Sequence, residues 1–207
     1  MGALHFLGVD NLACIRGRKV LFRDLAFRVA AGQVLSLEGP NGSGKTSLLR
    51  LLAGFLAPAA GSVVLGTAGG TVAEAEERGR HIGWLGHHDA AKPQLTPREV
   101  LTFFARLYRS DGDVGAALAA IGLGGIADLP CQYLSAGQKK RLALARLRLS
   151  GRALWLLDEP LAALDAEGKT RAAALIAAHT AQGGLVVAAT HEPLGVASER
   201  LVLGASA

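Results

Sequence analysis

The segment Gly39-Pro40-Asn41-Gly42-Ser43-Gly44-Lys45-Thr46 fits the pattern G-x-x-x-x-G-K-[ST]. Glycines at that spacing let a backbone wrap so that its N–H groups converge on an anion. A helix starting at the lysine would add the positive end of its dipole. Lys45 is then placed to reach β- and γ-phosphates, and the Thr46 hydroxyl to hold Mg²⁺. Ser47, next in the same turn, completes the expected nucleotide-binding set of Gly39, Pro40, Asn41, Gly42, Ser43, Gly44, Lys45, Thr46 and Ser47. A second chemical unit lies more than a hundred residues on. Ala153-Leu-Trp-Leu-Leu157 is an unbroken apolar run that ends in Asp158-Glu159. At the end of a buried strand, Asp158 can hold Mg²⁺ directly or through water, and Glu159 can polarise an attacking water. Alone, that pair would read as a strand ending in two solvated acids. Beside a phosphate loop, phosphoryl chemistry is the better reading.

Positioning these groups needs alternating strands and helices. Val34–Glu38, Ala153–Leu157 and Leu185–Thr190 are short apolar runs and are expected as buried strands, with shorter ones at Ser62–Leu65 and His81–Leu85. Thr46–Leu56 is expected to be a helix stopped by Pro58, and Thr67–Arg80 a loop with one helical turn. Pro97–Arg109, Asp113–Ile121, Ser135–Leu149 and Asp165–Ala181 read as helices. Pro97 suits a first turn, and Ser135 with Gln138 forms a capping box. Strand–helix alternation implies a parallel sheet with crossovers. Residues 97–149 contain helices and no strand, so they read as an insertion in that α/β core.

The pentapeptide Leu134-Ser135-Ala136-Gly137-Gln138 narrows the field. With the phosphate loop, Asp158-Glu159, Ala163-Leu164-Asp165 and His191, it resembles the ATP-binding cassette (ABC) family over essentially the whole chain. Its signature is close to L-S-G-G-Q, with Ala136 at the first glycine. The resemblance implies a P-loop α/β core with a small antiparallel β subdomain (1–86 and 151–207) and a helical signature subdomain (87–150), together one ATP-binding domain over 1–207. It implies ATP and Mg²⁺ as ligands and a head-to-tail homodimer. Ser135, Gly137 and Gln138 of one copy would then face the phosphate loop of the other. His191 would contact the γ-phosphate and orient water with Glu159, and Asp165 would lie at the dimer interface. Lys45, Glu159 and His191 are therefore the expected catalytic residues. Two positions depart from the family pattern. Arg16 stands where an aromatic residue usually stacks on adenine. His87 stands where a glutamine usually senses Mg²⁺, so Thr46, Asp158 and His87 form the expected metal set. His87-His88 could also be a metal or haem ligand pair, although no third ligand is nearby in sequence. The segments Trp84–Thr96, Leu12–Phe27, Leu134–Arg146 and Thr180–Gly184 resemble the haem-exporter branch of the family, which serves c-type cytochrome biogenesis. That branch implies an ATPase at the cytoplasmic face of a bacterial inner membrane, peripheral, beside a separate integral membrane subunit of the haem exporter.

Composition excludes several other classes. The 207 residues are 50% hydrophobic, 19% charged and 5% aromatic, which suits one globular domain. No charge-free run is long and unbroken enough to span a bilayer. The start lacks a charged leader before its apolar residues, and residue 6 is Phe, so neither a secretory signal nor myristoylation is expected. Two cysteines make neither a disulfide framework nor a zinc spacing. Net charge is +5, but the basic residues are scattered and are not interleaved with aromatics, so no nucleic-acid partner is expected. The densest cluster, Lys139-Lys140-Arg141, sits in a first helical turn, where positive charge is locally unfavourable. It either meets an anion or points into water. Three rivals remain. A cassette with another cargo differs only in its membrane partner. A soluble cassette acting on ribosomes or DNA usually has two cassettes or a long coiled coil. A P-loop kinase or GTPase is disfavoured by the pentapeptide and by the lack of an Asn-Lys-x-Asp motif.

Overall fold

The computed structural model describes residues 4–86 and 91–204. In chain order its first elements are strands β1 (Leu4–Arg16), β2 (Lys19–Ala30) and β3 (Val34–Glu38), helix α1 (Lys45–Leu52), strands β4 (Ala60–Thr67) and β5 (Gly70–Val72), helix α2 (Ala75–Gly79) and strand β6 (Ile82–Leu85). Helices α3 (Pro97–Tyr108), α4 (Val114–Ala120) and α5 (Ala136–Ser150) follow. Strand β7 (Leu154–Asp158), helix α6 (Ala166–Ala181) and strands β8 (Leu185–Ala189) and β9 (Glu199–Val202) end the described chain. No helix among the described residues is long and apolar enough to cross a membrane.

Five strands form a parallel sheet in the order β6-β7-β8-β3-β9. Its central members are apolar throughout because both of their faces are covered. In β7, Trp155 and Leu157 enter the core beneath α3–α6. Leu154 and Leu156 enter the opposite core, against α1, β1 and β4. Val186 and Ala188 of β8 divide from Leu185, Val187 and Ala189 in the same way. This is the period-2 alternation of a strand with two buried faces. Each fully buried Leu or Val side chain contributes about 1.5–3 kcal/mol.

The second sheet is antiparallel, in the order β2-β1-β4-β5. Its two long strands are the element the residue pattern does not announce. Asn11 and Asp24 have φ of 47° and 53°, and the β1–β2 register shifts between Val9 and Leu12. Such irregularities break the apolar alternation that would mark a strand.

Other expectations need correction. Helix α1 ends at Leu52, not at Leu56. Gly54 adopts φ 78°, its N–H donates to the Leu51 carbonyl, and the Phe55 N–H donates to Arg50. That left-handed cap stops the helix before Pro58 can act. Residues 67–80 hold β5 and the single turn α2 rather than a loop with one turn. Neither Lys140 nor Arg141 points freely into water. Lys140 is buried, and Arg141 Nη1 donates to the Ile121 carbonyl at 3.0 Å. Cys14 and Cys131 are both buried thiols, raised in pKa mainly by that burial.

Helices α3–α5 lie between β6 and β7 and pack on one another. Thr96 caps α3 through a reciprocal box with Glu99, and Pro97 opens the helix. Asp113 caps α4 through the N–H groups of Gly115 and Ala116. Their apolar faces, with Leu101, Leu118, Leu142 and Leu144, join the core on the Trp155 side of the parallel sheet. The helical insert is therefore rooted in the sheet that carries the site.

Candidate functional site

Three adjacent strands end at one edge of the parallel sheet. Leu37 of β3 is level with Ala189 of β8, which is level with Asp158 of β7. The residues after each strand end thus emerge side by side: the loop from Gly39, the pair Asp158-Glu159, and His191. Ligands of open α/β sheets bind at this carboxyl edge. Asn41, Gly42, Gly44, Lys45, Thr46, Ser47, Asp158, Glu159, His191 and Leu21 line a single cleft there of about 450 Å³.

The loop Gly39–Gly44 is shaped by backbone that only glycine adopts readily. Gly39 has φ 136°, and a Cβ there would meet the Leu203 carbonyl oxygen at 2.2 Å. Gly44 caps α1 with φ 106° and lies against Leu21 and Phe22 of β2. Lys45 is buried at the first position of α1. Its Nζ donates to the carbonyls of Gly39 at 2.7 Å and Pro40 at 3.2 Å, clasping the loop. The Ser43 hydroxyl is buried with no hydrogen-bond partner among the described residues. An unpaired buried hydroxyl costs about 1–3 kcal/mol, and Ser43 does not line the cleft but packs against Gly39 and Gly204.

Across the cleft, Thr46 Oγ1 lies 3.2 and 3.1 Å from the two carboxylate oxygens of Asp158, which is itself buried. These are hard oxygen donors, the type suited to Mg²⁺. Glu159 follows in left-handed backbone, φ 48°, held by its N–H donating to Ala189 at 2.9 Å. Such a conformation costs about 1–3 kcal/mol for a residue with a Cβ, and its surroundings must enforce it. It turns the carboxylate into the cleft, where Oε1 is 3.4 Å from His191 Nε2. His191 is half exposed and Glu159 a quarter. After β8, the Thr190 hydroxyl donates to the Glu192 carbonyl and accepts from the Glu192 N–H, shaping the turn that carries His191. Lys169 of α6 pairs with the Glu192 carboxylate at the same turn.

The pentapeptide is placed elsewhere. Ser135, Gly137 and Gln138 are not among the cleft residues. Ser135 caps α5: its Oγ accepts from the Gln138 N–H at 3.2 Å, and Gln138 Oε1 accepts from the Ser135 N–H at 2.8 Å. Among the described residues the Ser135 hydroxyl proton has no hydrogen-bond acceptor. Gly137 is glycine for a local reason, because a Cβ would meet the Ala163 carbonyl oxygen at 2.6 Å. Ala163 itself has φ 64°. Asp165 is the N-cap of α6, accepting from the Gly168 N–H at 2.7 Å. Arg16 is exposed at the end of β1, opposite Lys19 across a two-residue turn, and is not among the cleft-lining residues. His87 lies outside the described residues, as does His88. One contributor was missed: Leu21 enters the cleft from a strand the residue pattern did not announce.

The family model for ABC transporters matches residues 22–162. The chain belongs to the ABC transporter family. This cassette is 46% identical over 203 residues to the cytochrome c biogenesis ATP-binding export protein CcmA of Rhodopseudomonas palustris (strain BisB5), covering 98% of the chain and 100% of that protein. It is 48% identical to the protein of the same name from Pseudomonas syringae pv. tomato, over 91% of the chain and 89% of that protein. Among solved structures, an ABC transporter ATP-binding protein from Pyrococcus furiosus superposes with a TM-score of 0.81 at 22% identity. That match covers 96% of the cassette and 97% of the other chain, and it supports the fold.

Proposed function

We propose that this cassette is the ATP-hydrolysing subunit of an exporter that serves cytochrome c biogenesis, with haem handling as the work it energises. The family supplies ATP binding and a membrane partner, and the similarity to the CcmA proteins supplies the pathway. The observation that carries the catalytic reading is the convergence of Lys45, Thr46, Asp158, Glu159 and His191 on one cleft at the sheet's carboxyl edge.

In this reading the loop N–H groups from Gly39 to Ser47 cradle the phosphates, and Lys45 exchanges its carbonyl partners for β- and γ-phosphate oxygens. Thr46 and Asp158 would hold Mg²⁺, which when bound neutralises charge on the β- and γ-phosphates. Glu159 accepts a hydrogen bond from the attacking water and aligns it with the γ-phosphorus. His191, beside Glu159, holds that carboxylate and donates towards the γ-phosphate. As the water oxygen bonds to phosphorus, the bond to the β,γ-bridging oxygen breaks. ADP leaves, and the water proton passes to Glu159 or to solvent. Ser135, Gly137 and Gln138 act on the nucleotide of a second copy, which would explain why they lie outside this chain's own cleft. Residues 87–150 form the helical subdomain that carries them. Arg16 is proposed to flank adenine and His87 the metal. The assembly is a homodimer of cassettes under a separate integral membrane subunit of the haem exporter, at the cytoplasmic face of the inner membrane.

The test is steady-state ATP hydrolysis by the purified chain and by Glu159→Gln. The substitution keeps the shape and removes the base. Loss of about 10²–10⁴-fold in kcat with ATP binding retained is expected, the usual worth of a general base. A Glu159→Gln protein that hydrolyses ATP at the normal rate would remove Glu159 from the mechanism.

A further inference from the structure

Arg78 is a buried cation that the ATP site does not use. It is 7% exposed, at the end of the short helix α2. Its Nη1 donates to the carbonyls of Val63, at 3.2 Å, and Ala73. Its Nε is buried and has no partner among the described residues. Nη2 has no described partner either. No described carboxylate lies within ion-pair distance of it, and the charge of Glu74, at the start of α2, offsets its burial only in part. A buried guanidinium is costly unless paired, and burial pulls its pKa below the usual arginine range. Nη1 is thus anchored and Nε is closed off by burial, which leaves Nη2 as the nitrogen that can meet a ligand. It can donate one charge-assisted hydrogen bond to a carboxylate.

The guanidinium lines a cleft of about 350 Å³, bounded by Leu51, Leu56, Pro58, Val63 and Ala75, with Ser62 at its edge. Lys45, Asp158 and Glu159 do not line it, so it is separate from the ATP cleft. Its walls offer almost no other polar group, so they suit one carboxylate carried on an apolar body. Beside it Phe55 is 65% exposed and meets Trp84 edge-on at 5.2 Å. An exposed aromatic next to an apolar cleft with one buried charge is the composition of a protein-binding hot spot.

We propose that this cleft receives an acidic side chain, Asp or Glu, flanked by apolar residues on a partner protein, with Arg78 as its anchor. Charge complementarity favours this occupant. A small, many-hydroxylated acid would leave polar groups unpaired against the apolar walls. The proposal extends the reading of a cassette that works against another chain, but it does not depend on ATP hydrolysis. Normal hydrolysis with no binding here would sink this proposal alone.

The experiment titrates the ¹⁵N-labelled full chain with the blocked tripeptide N-acetyl-Leu-Glu-Leu-amide and follows the Arg78 Nε–H resonance. Saturable shifts are expected, with the Leu-Gln-Leu peptide at least about tenfold weaker, the scale of a charge-assisted pair. Arg78→Met should abolish the response. Should that variant fold poorly, Ser62→Asp places a carboxylate at the cleft edge with Arg78 intact and should weaken the peptide by a similar factor. Equal binding of the two peptides would overturn the proposal. So would hexanoate binding more tightly than the Glu peptide, which would assign the cleft to a small-molecule acid instead.

Discussion

Ser135 shows how one side chain can be asked for two things. Its Oγ accepts the Gln138 N–H and so caps α5, and in the proposed function it also donates to a γ-phosphate held by a second copy. Losing an N-cap costs about 1 kcal/mol, and losing a γ-phosphate contact costs hydrolysis. The two roles separate by substitution. Ser135→Ala should lower both thermal stability and ATPase activity. Ser135→Asp keeps a good cap but sets negative charge against phosphate. It should melt near the wild-type temperature yet lose hydrolysis by about tenfold or more, on the scale of one charge-assisted hydrogen bond. A fully active Ser135→Asp protein would show that the hydroxyl serves the helix alone. The strained Glu159 carries a related lesson. Its φ of 48° was invisible in the run Leu157-Asp-Glu-Pro, because nothing in residue type demands left-handed backbone there. The neighbouring strands impose it, and the carboxylate reaches His191 because of it.

At the level of elements, the joint between α6 and the start of β7 makes a prediction about pH. His179 stacks on Trp155, with ring centroids 3.8 Å apart and planes within 6°, and its Nε2 lies 3.2 Å from the Ala153 carbonyl oxygen. Burial holds its pKa below the ordinary histidine value, so the fold prefers the neutral ring. His81 is shifted the same way, again chiefly by burial. For a depressed histidine the unfolded chain takes up protons first as pH falls. The stability is therefore present above the unfolded pKa of about 6.5 and is lost as pH drops through that value towards the folded one. Melting temperature should fall between roughly pH 7 and pH 5. His179→Phe, which keeps an aromatic ring on Trp155, should flatten part of that dependence and leave the part due to His81. An unchanged slope would remove His179 as the cause. The elements around this joint were legible in the sequence because β7, α6 and β8 are long apolar runs or well-capped helices. β1 and β2 were expected only through the family resemblance, as an antiparallel subdomain, and β9 was not expected. The first two are kinked at Asn11 and Asp24. The last, Glu199-Arg200-Leu201-Val202, is an edge strand held partly by Arg200 pairing with Glu38, and it shows no apolar run.

For the whole molecule, the central matter is the proposed division of the site between two copies. The phosphate loop, the acid pair and His191 meet at one sheet edge because β3, β7 and β8 are neighbours in register. Motif spacing made those residues legible, since each follows an apolar strand. The cleft wall from Leu21 was not, because it depends on the irregular β1–β2 hairpin packing against the distant Gly44 of the phosphate loop. Ser135 and Gly137 lie at the start of α5 and do not line this cleft. If they serve a nucleotide, it is held by another copy, and ATP itself must glue the two chains together. The most direct measurement is the mass of the Glu159→Gln chain by light scattering, with and without saturating Mg²⁺ and ATP. Because the bound nucleotide is not consumed, the account predicts a shift from one chain to two when ATP is added, reversed by removing the nucleotide. The same chain remaining monomeric while ATP is demonstrably bound would contradict it.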